Sequence, residues 1–168
     1  YLTDFSEAEL RACARQAYAP ERFGDCPAPL KDVGDLHVLE LWHGPTHAFK
    51  DMALQMLPRL MPLAMKKTGV DKQVFILVAT SGDTGKAALE GFCGVEGTQV
   101  GVFYPVDGVS PAQKLQMITQ EGENTHVCAV QGNFDDAQTG VKRIFGDEAF
   151  ARELAEKGVE LASAASMT

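Results

Sequence analysis

A chain of 168 residues, 45% hydrophobic and 23% charged, has the size and make-up of one ordinary soluble globular domain with a real core. A formal net charge of -8 argues against broad nucleic-acid or anionic-membrane binding, which needs a surplus of Lys and Arg, yet leaves room for a small anionic substrate because a pocket sets its own field. No apolar run approaches the ~20 residues needed to span a bilayer and no signal peptide opens the chain, so the expected compartment is the cytoplasm.

In chain order, Ser6 with Glu9 three positions on forms a capping box for a helix through about Tyr18, with Leu10, Ala14 and Ala17 on one face. Pro20 to Asp35, with three prolines and two glycines, reads as a loop. An alternation follows: strand-like Leu36 to Trp42, Val74 to Ala79, Val100 to Tyr104 and Val127 to Val130 alternate with helical stretches near 50–67, 85–93, 111–120 and 134–156. Continuously apolar strands such as Val74 to Val78 are buried on both faces, so the order predicts an α/β fold: an open, mostly parallel sheet covered by helices. Residues 1–35 are expected to be an N-terminal helix and loop, and 36–168 the α/β domain. Pro58 and Pro62 predict a kink or break in the helix over 50–67. Ser110 and Asn133 are expected as N-caps, with Pro111 at the first helical position. Met52, Met56, Met61 and Met65 lie at helical spacing and are expected in the core. The chain opens on Tyr1 without a Met and stops soon after strand-like Val159 to Leu161, and so is expected to be a piece of something longer.

Lys50 carries the strongest chemical signal. It sits in Leu41-Trp42-His43-Gly44-Pro45-Thr46-His47-Ala48-Phe49-Lys50-Asp51, between an apolar stretch and a helical pattern. That junction holds the backbone, and the unpaired N–H groups of a helix start disfavour the ammonium form, as Schiff-base chemistry with an aldehyde cofactor requires. His43 and His47 are no metal pair, because Gly44-Pro45 prevents a helix between them and no third ligand is near; His43 is expected to orient the loop by hydrogen bonding. Cys13, Cys26, Cys93 and Cys128 have no CxxC spacing and read as buried, reduced thiols rather than zinc ligands or a disulfide framework.

A second motif, Ala79-Thr80-Ser81-Gly82-Asp83-Thr84-Gly85-Lys86, follows a buried strand and opens a helix, so its N–H groups converge on an anion. Gly82 and Gly85 admit a ligand close to the backbone, while Ser81 and Thr84 add hydroxyls. A P-loop would need Gly at position 80 and Ser or Thr at 87, where this chain has Thr80 and Ala87. Nucleotide hydrolysis is therefore set aside. Lys86 and Lys114 are expected to be solvated surface lysines.

His43 to Asp51 and Ser81 to Gly85, at their separation, together with Phe103 to Ser110, Gln113 to Met117 and Gly132 to Gln138, identify a resemblance. Over nearly the whole chain beyond the first thirty residues it resembles threonine synthase, a pyridoxal-phosphate enzyme of the tryptophan-synthase-β-like fold (fold type II). The resemblance implies a lyase of threonine biosynthesis that converts O-phospho-L-homoserine and water to L-threonine and phosphate. It implies pyridoxal 5'-phosphate held as an aldimine on Lys50, the catalytic residue, with Phe49 near the cofactor ring. Ser81, Gly82, Asp83, Thr84 and Gly85 would line the cofactor and offer donors to the substrate carboxylate. The family's Ser-Ala-Asn-Ser-Ile-Asn text is here Ser163-Ala164-Ala165-Ser166-Met167-Thr168, and its glycine-rich cofactor-phosphate loop is expected in a later half absent from these residues. Alternatives are another fold type II enzyme, such as a threonine dehydratase or cysteine synthase, whose lysine motifs are shorter, or a non-catalytic module that binds a phosphorylated ligand.

Overall fold

The computed structural model describes residues 3–163. Helix α1 (Glu7–Ala17) starts as its capping box dictates: Glu9 N–H donates to Ser6 Oγ at 3.3 Å and Ser6 N–H donates to Glu9 Oε2 at 2.8 Å. One turn of helix, α2 (Pro20–Phe23), follows with proline at its first position, where the missing N–H has no cost. The expected loop over 20–35 thus contains structure. Its second half, β1 (Leu30–Val33), pairs antiparallel with β2 (Leu36–Leu39). The strand expected over Leu36 to Trp42 therefore stops at Leu39 and belongs to a separate hairpin, not to the parallel sheet. Its cause is the two-residue turn Gly34-Asp35, where Gly34 takes φ +62° and folds the chain straight back. The hairpin is exposed, Leu36 being 68% accessible.

The helix expected over 50–67 is two helices, α3 (Asp51–Leu54) and α4 (Leu57–Thr68). The break falls just ahead of Pro58, which then occupies the first turn of α4, while Pro62 is accommodated inside it. Met61 and Met65 pack on the main core; Met52 and Met56 are half-buried without joining it. Gly69 ends α4 in the left-handed conformation.

From there the chain follows the predicted alternation: β3 (Gln73–Ala79), α5 (Asp83–Phe92), β4 (Thr98–Pro105), α6 (Pro111–Ile118), β5 (Thr125–Val130), α7 (Phe134–Gly146), α8 (Glu148–Glu156) and β6 (Val159–Ser163). The helix expected over 134–156 is broken at Asp147, whose extended backbone ends α7 and whose carboxylate accepts the Ala149 and Phe150 N–H groups to start α8. Ser110 and Asn133 cap α6 and α7 as expected.

The four strands β5, β4, β3 and β6 form, in that order, one parallel sheet, with Val78 opposite Val102 and Phe75 opposite Leu161. Side chains alternate across a strand, so β3 feeds two cores. Val74, Ile76 and Val78 meet Ala88, Leu89 and Phe92 of α5 and Val100, Val102 and Tyr104 of β4. Phe75, Leu77 and Ala79 meet Ala137 and Val141 of α7. Leu89 and Phe92 are fully buried, each worth about 1.5–3 kcal/mol relative to exposure. Gly101 on β4 makes room for the Phe75 ring, which lies 3.0 Å from where a Cβ would sit. Two parallel connections bring the C-terminal ends of β3 and β4 to one edge, where α5 and α6 begin. Among the described residues no helix is long and apolar enough to cross a membrane.

Candidate functional site

The turn ahead of α3 is closed by its own side chains. His47 N–H donates to the Gly44 carbonyl at 3.1 Å, and His47 itself takes φ +57°. Asp51, the first residue of α3, is fully buried and turns back onto this bend. Its Oδ2 accepts the Thr46 N–H at 2.8 Å and its Oδ1 accepts the Thr46 hydroxyl at 2.7 Å. A Cβ on Gly44 would lie 2.5 Å from Asp51 Oδ2 and 2.8 Å from the Phe23 ring, so only glycine permits the approach. His43 bonds Glu40 Oε2 through Nε2 at 2.7 Å and stacks on Trp42, matching its expected orienting role.

Lys50 is the residue on which that turn ends. Its carbonyl accepts the N–H groups of Ala53 and Leu54, at 3.2 and 2.9 Å, which fixes its backbone at the start of α3. Its amine has neither hydrogen bond nor ion pair among the described residues and rests 4.9 Å from the centre of the Phe49 ring. Phe49 is 56% exposed. The main chain is thus held while the nitrogen is left available.

The second turn is organised by a residue that sequence reading passed over. Thr80, at the end of β3, is buried, and its Oγ1 accepts the Gly82 and Gly85 N–H groups, both at 2.9 Å, while donating to the Gly82 carbonyl at 3.1 Å. The first N–H groups of a helix have no intrahelical partner. Thr80 takes that of Gly85, and those of Asp83 and Thr84 at the start of α5 have no hydrogen-bond partner among the described residues. Gly82 sits at φ +154° against Gln113, which lies 2.3 Å from where a Cβ would sit. A Cβ on Gly85 would fall 2.5 Å from the Thr80 methyl. Gln113 also donates through Nε2 to Asp83 Oδ1 at 2.8 Å and accepts the Ser110 N–H, so the start of α6 braces the start of α5. A threonine two residues before a glycine is a local turn signal and was readable. The Gln113 bridge joins residues thirty apart and was not.

Helices α3 and α5, which carry Lys50 and the Ser81–Gly85 turn, pack on each other. Gly91 presses against Leu54, whose carbonyl oxygen lies 1.9 Å from the place of a Gly91 Cβ. No hydrogen bond or ion pair joins Lys50 to the Ser81–Gly85 turn among the described residues. Two expectations change. Lys86 is no solvated lysine: it bonds Gln120 and pairs with Glu90 Oε2 at 3.4 Å, its side chain 15% exposed. Of the four cysteines only Cys13 is buried, whereas Cys26 and Cys128 are exposed and Cys93 is intermediate. Burial raises the Cys13 thiol pKa. Ala165 and Thr168 lie outside the described residues. No cluster of three metal-ligating side chains occurs among the described residues.

No family model matches the chain. It is 40% identical over 157 residues to threonine synthase from Saccharomyces cerevisiae, covering 88% of this chain and 30% of that protein. It is 46% identical over 129 residues to threonine synthase from Pseudomonas aeruginosa, covering 76% of this chain and 27% of that one. The chain therefore spans less than a third of the length of these relatives. Among solved structures, pyridoxal-phosphate-bound threonine synthase from Brucella melitensis superposes with a TM-score of 0.81 at 38% identity, over 96% of this chain and 34% of that one. Diaminopropionate ammonia lyase from Escherichia coli, at TM-score 0.56 and 17% identity over 95% of this chain and 41% of that one, shares the fold alone. The α/β architecture is that of fold type II pyridoxal-phosphate enzymes, and the chain is a homologue of threonine synthase.

Proposed function

We propose that this protein acts in threonine biosynthesis as a cytoplasmic, pyridoxal-phosphate-dependent lyase that converts O-phospho-L-homoserine and water to L-threonine and phosphate. The observation that carries this reading is Lys50: a backbone locked at the start of a helix, with an amine that rests on the Phe49 ring and has no hydrogen bond or ion pair among the described residues. The residues present fit the cofactor. A primary amine without hydrogen bond or ion pair among the described residues suits its aldehyde, and the glycine-lined start of α5, where the N–H groups of Asp83 and Thr84 are unclaimed among those residues, suits an anionic group. When bound, pyridoxal phosphate supplies an electron sink for carbanions formed on the substrate.

In this reading Lys50 Nζ would hold the cofactor, and the same amine would move protons between substrate carbons. Phe49, already against that nitrogen, packs beside the cofactor ring. Ser81, Gly82, Asp83, Thr84 and Gly85 line the cofactor, and the Asp83 and Thr84 N–H groups with the Ser81 and Thr84 hydroxyls hold the substrate carboxylate. Asp83 reaches the ligand with one oxygen, because the other accepts from Gln113.

The test is borohydride reduction of protein mixed with pyridoxal phosphate, followed by peptide mass mapping, together with an assay of phosphate release from O-phosphohomoserine. The expected result is a reduced adduct on Lys50, lost in Lys50→Ala, and phosphate release that is lost with it. Release of ammonia from a hydroxy-amino acid instead would assign the protein to an eliminating enzyme of the same fold. Adducts spread evenly over surface lysines would overturn the reading.

A further inference from the structure

We propose that Asp51 is a positioning residue for Lys50: it aims the amine by holding the preceding turn through Thr46, without touching the amine itself. This rests on the reading of Lys50 given above and goes beyond it by naming what orients that lysine.

Asp51 is a fully buried carboxylate with no basic partner among the described residues. Burying such a group is costly unless its oxygens are satisfied, and here Thr46 satisfies one with its N–H and the other with its hydroxyl. Two bonds to one residue fix both side-chain torsions of Asp51 relative to the bend. The chain between Thr46 and Asp51 becomes a small closed loop, with Lys50 as its last link. Gly44 is pressed against the same carboxylate, so the bend cannot move away from it without opening a gap. On the far side, Ala53 and Leu54 donate to the Lys50 carbonyl. Lys50 is therefore clamped from before and after, and only its side chain retains freedom. A surface lysine has no such clamp. The arrangement pre-orients a reacting group, and misplacement of about 1 Å costs such a group up to about a hundredfold in rate.

The geometry also dictates how substitutions divide. In Asp51→Asn the amide oxygen accepts the Thr46 N–H and the amide nitrogen donates to the Thr46 hydroxyl, so both bonds survive with one reversed. Asp51→Ala loses both, and Thr46→Val loses one. The experiment compares the fraction of borohydride-trapped pyridoxal phosphate on Lys50, relative to surface lysines of the same molecule, in the parent and the three variants, with backbone N–H order parameters for residues 46–51 measured alongside. Expected are a drop in Lys50 selectivity of roughly tenfold in Asp51→Ala, a smaller drop in Thr46→Val and near-parent selectivity in Asp51→Asn, with order parameters falling in the same sequence. Should Asp51→Ala fail to fold, Thr46→Val and Asp51→Asn carry the comparison. Equal selectivity and equal order in parent and folded variants would overturn the proposal. If the parent forms no adduct on Lys50, the cofactor reading fails, while the order parameters still decide whether Asp51 holds this turn.

Discussion

Ahead of α3, an acidic side chain at the start of the helix accepts from Thr46 in the preceding turn; ahead of α5, the hydroxyl of Thr80 at the end of a strand accepts from Gly82 and Gly85. In the first turn the clamp leaves a side chain, Lys50, projecting from a fixed backbone. In the second it consumes two main-chain donors and leaves others, those of Asp83 and Thr84, facing outward. Both turns are cross-braced, but one presents a primary amine and the other a set of N–H dipoles. The difference explains why glycine matters in both places for unlike reasons: at position 44 it lets a carboxylate approach, and at 82 and 85 it lets the backbone bend beneath Gln113 and over the Thr80 methyl.

Because each turn is cross-braced on its own account, their relation depends on the α3–α5 seam, and the largest effect is expected there. Gly91→Ala would place a methyl group 1.9 Å from the Leu54 carbonyl oxygen, a backbone atom that cannot swing aside. Overpacking of this kind costs about 3 kcal/mol. Urea unfolding should show that loss, and trapping of pyridoxal phosphate at Lys50 should fall in whatever fraction stays folded. A loss below about 1 kcal/mol would mean that the helices separate easily and that the two turns are not held in register by this contact.

Within the second turn, Thr80→Val removes the oxygen that accepts two N–H groups and leaves both buried. Each unsatisfied donor costs about 1–3 kcal/mol, so a loss near 2 kcal/mol is expected after partial relaxation. Thr80→Ser keeps the hydroxyl and should retain most of it. Amide exchange at Gly82 and Gly85 should accelerate in the valine variant, while exchange at Thr46 stays at the parent rate. Acceleration at both turns would show that they open as one unit and would erase the contrast between them.

The sheet was legible because its residues state their environment: an unbroken run such as Val74 to Val78 has no polar face to give water, and both faces are indeed covered. Caps at Ser6, Ser110 and Asn133 were legible because the partner lies three residues on. The hairpin is not legible in the same way: Leu36 to Trp42 has the apolar make-up of a buried strand, and the Gly34-Asp35 pair that turns the chain back is also what an ordinary loop contains. The break at Asp147 was missed because α7 and α8 each have helical spacing, and only the carboxylate turned onto Ala149 and Phe150 separates them. Lys50 and the Ser81–Gly85 turn could be picked out by residue type and spacing. Thr80 left a local trace two residues before Gly82, but Gln113 and Asp51 did not, because Gln113 reaches Asp83 thirty residues away and a buried Asp51 has the same letter as a solvated one. Lys86 shows the converse, since its burial comes from Gln120, thirty-four residues away.

The smallest effect is expected at a place that touches neither turn, which makes it the control for the contrast. The backbone N–H of Ser6, followed by Lys67 and the Ser6 hydroxyl, lowers the Glu9 pKa from 4.5 to about 2. With the folded value depressed, the unfolded chain binds more protons between those limits, so stability rises with pH across that window. The contribution is present in full above pH 4.5 and is lost as pH falls toward 2. Glu9→Gln retains an oxygen that can accept the Ser6 N–H, so the capping box survives and only the charge is removed. Thermal melts of parent and variant should therefore differ above pH 4.5 and converge near pH 2, by an amount that shrinks with added salt insofar as it comes from the half-exposed pair with Lys67 at 3.1 Å. The share of adduct on Lys50 should not move, since Glu9 braces α1 against α4 and bonds no residue of either turn. If it did move, the clamps at Thr46 and Thr80 would not be the local devices their hydrogen bonds describe, and rigidity at both turns would have to be a property of the whole helical layer.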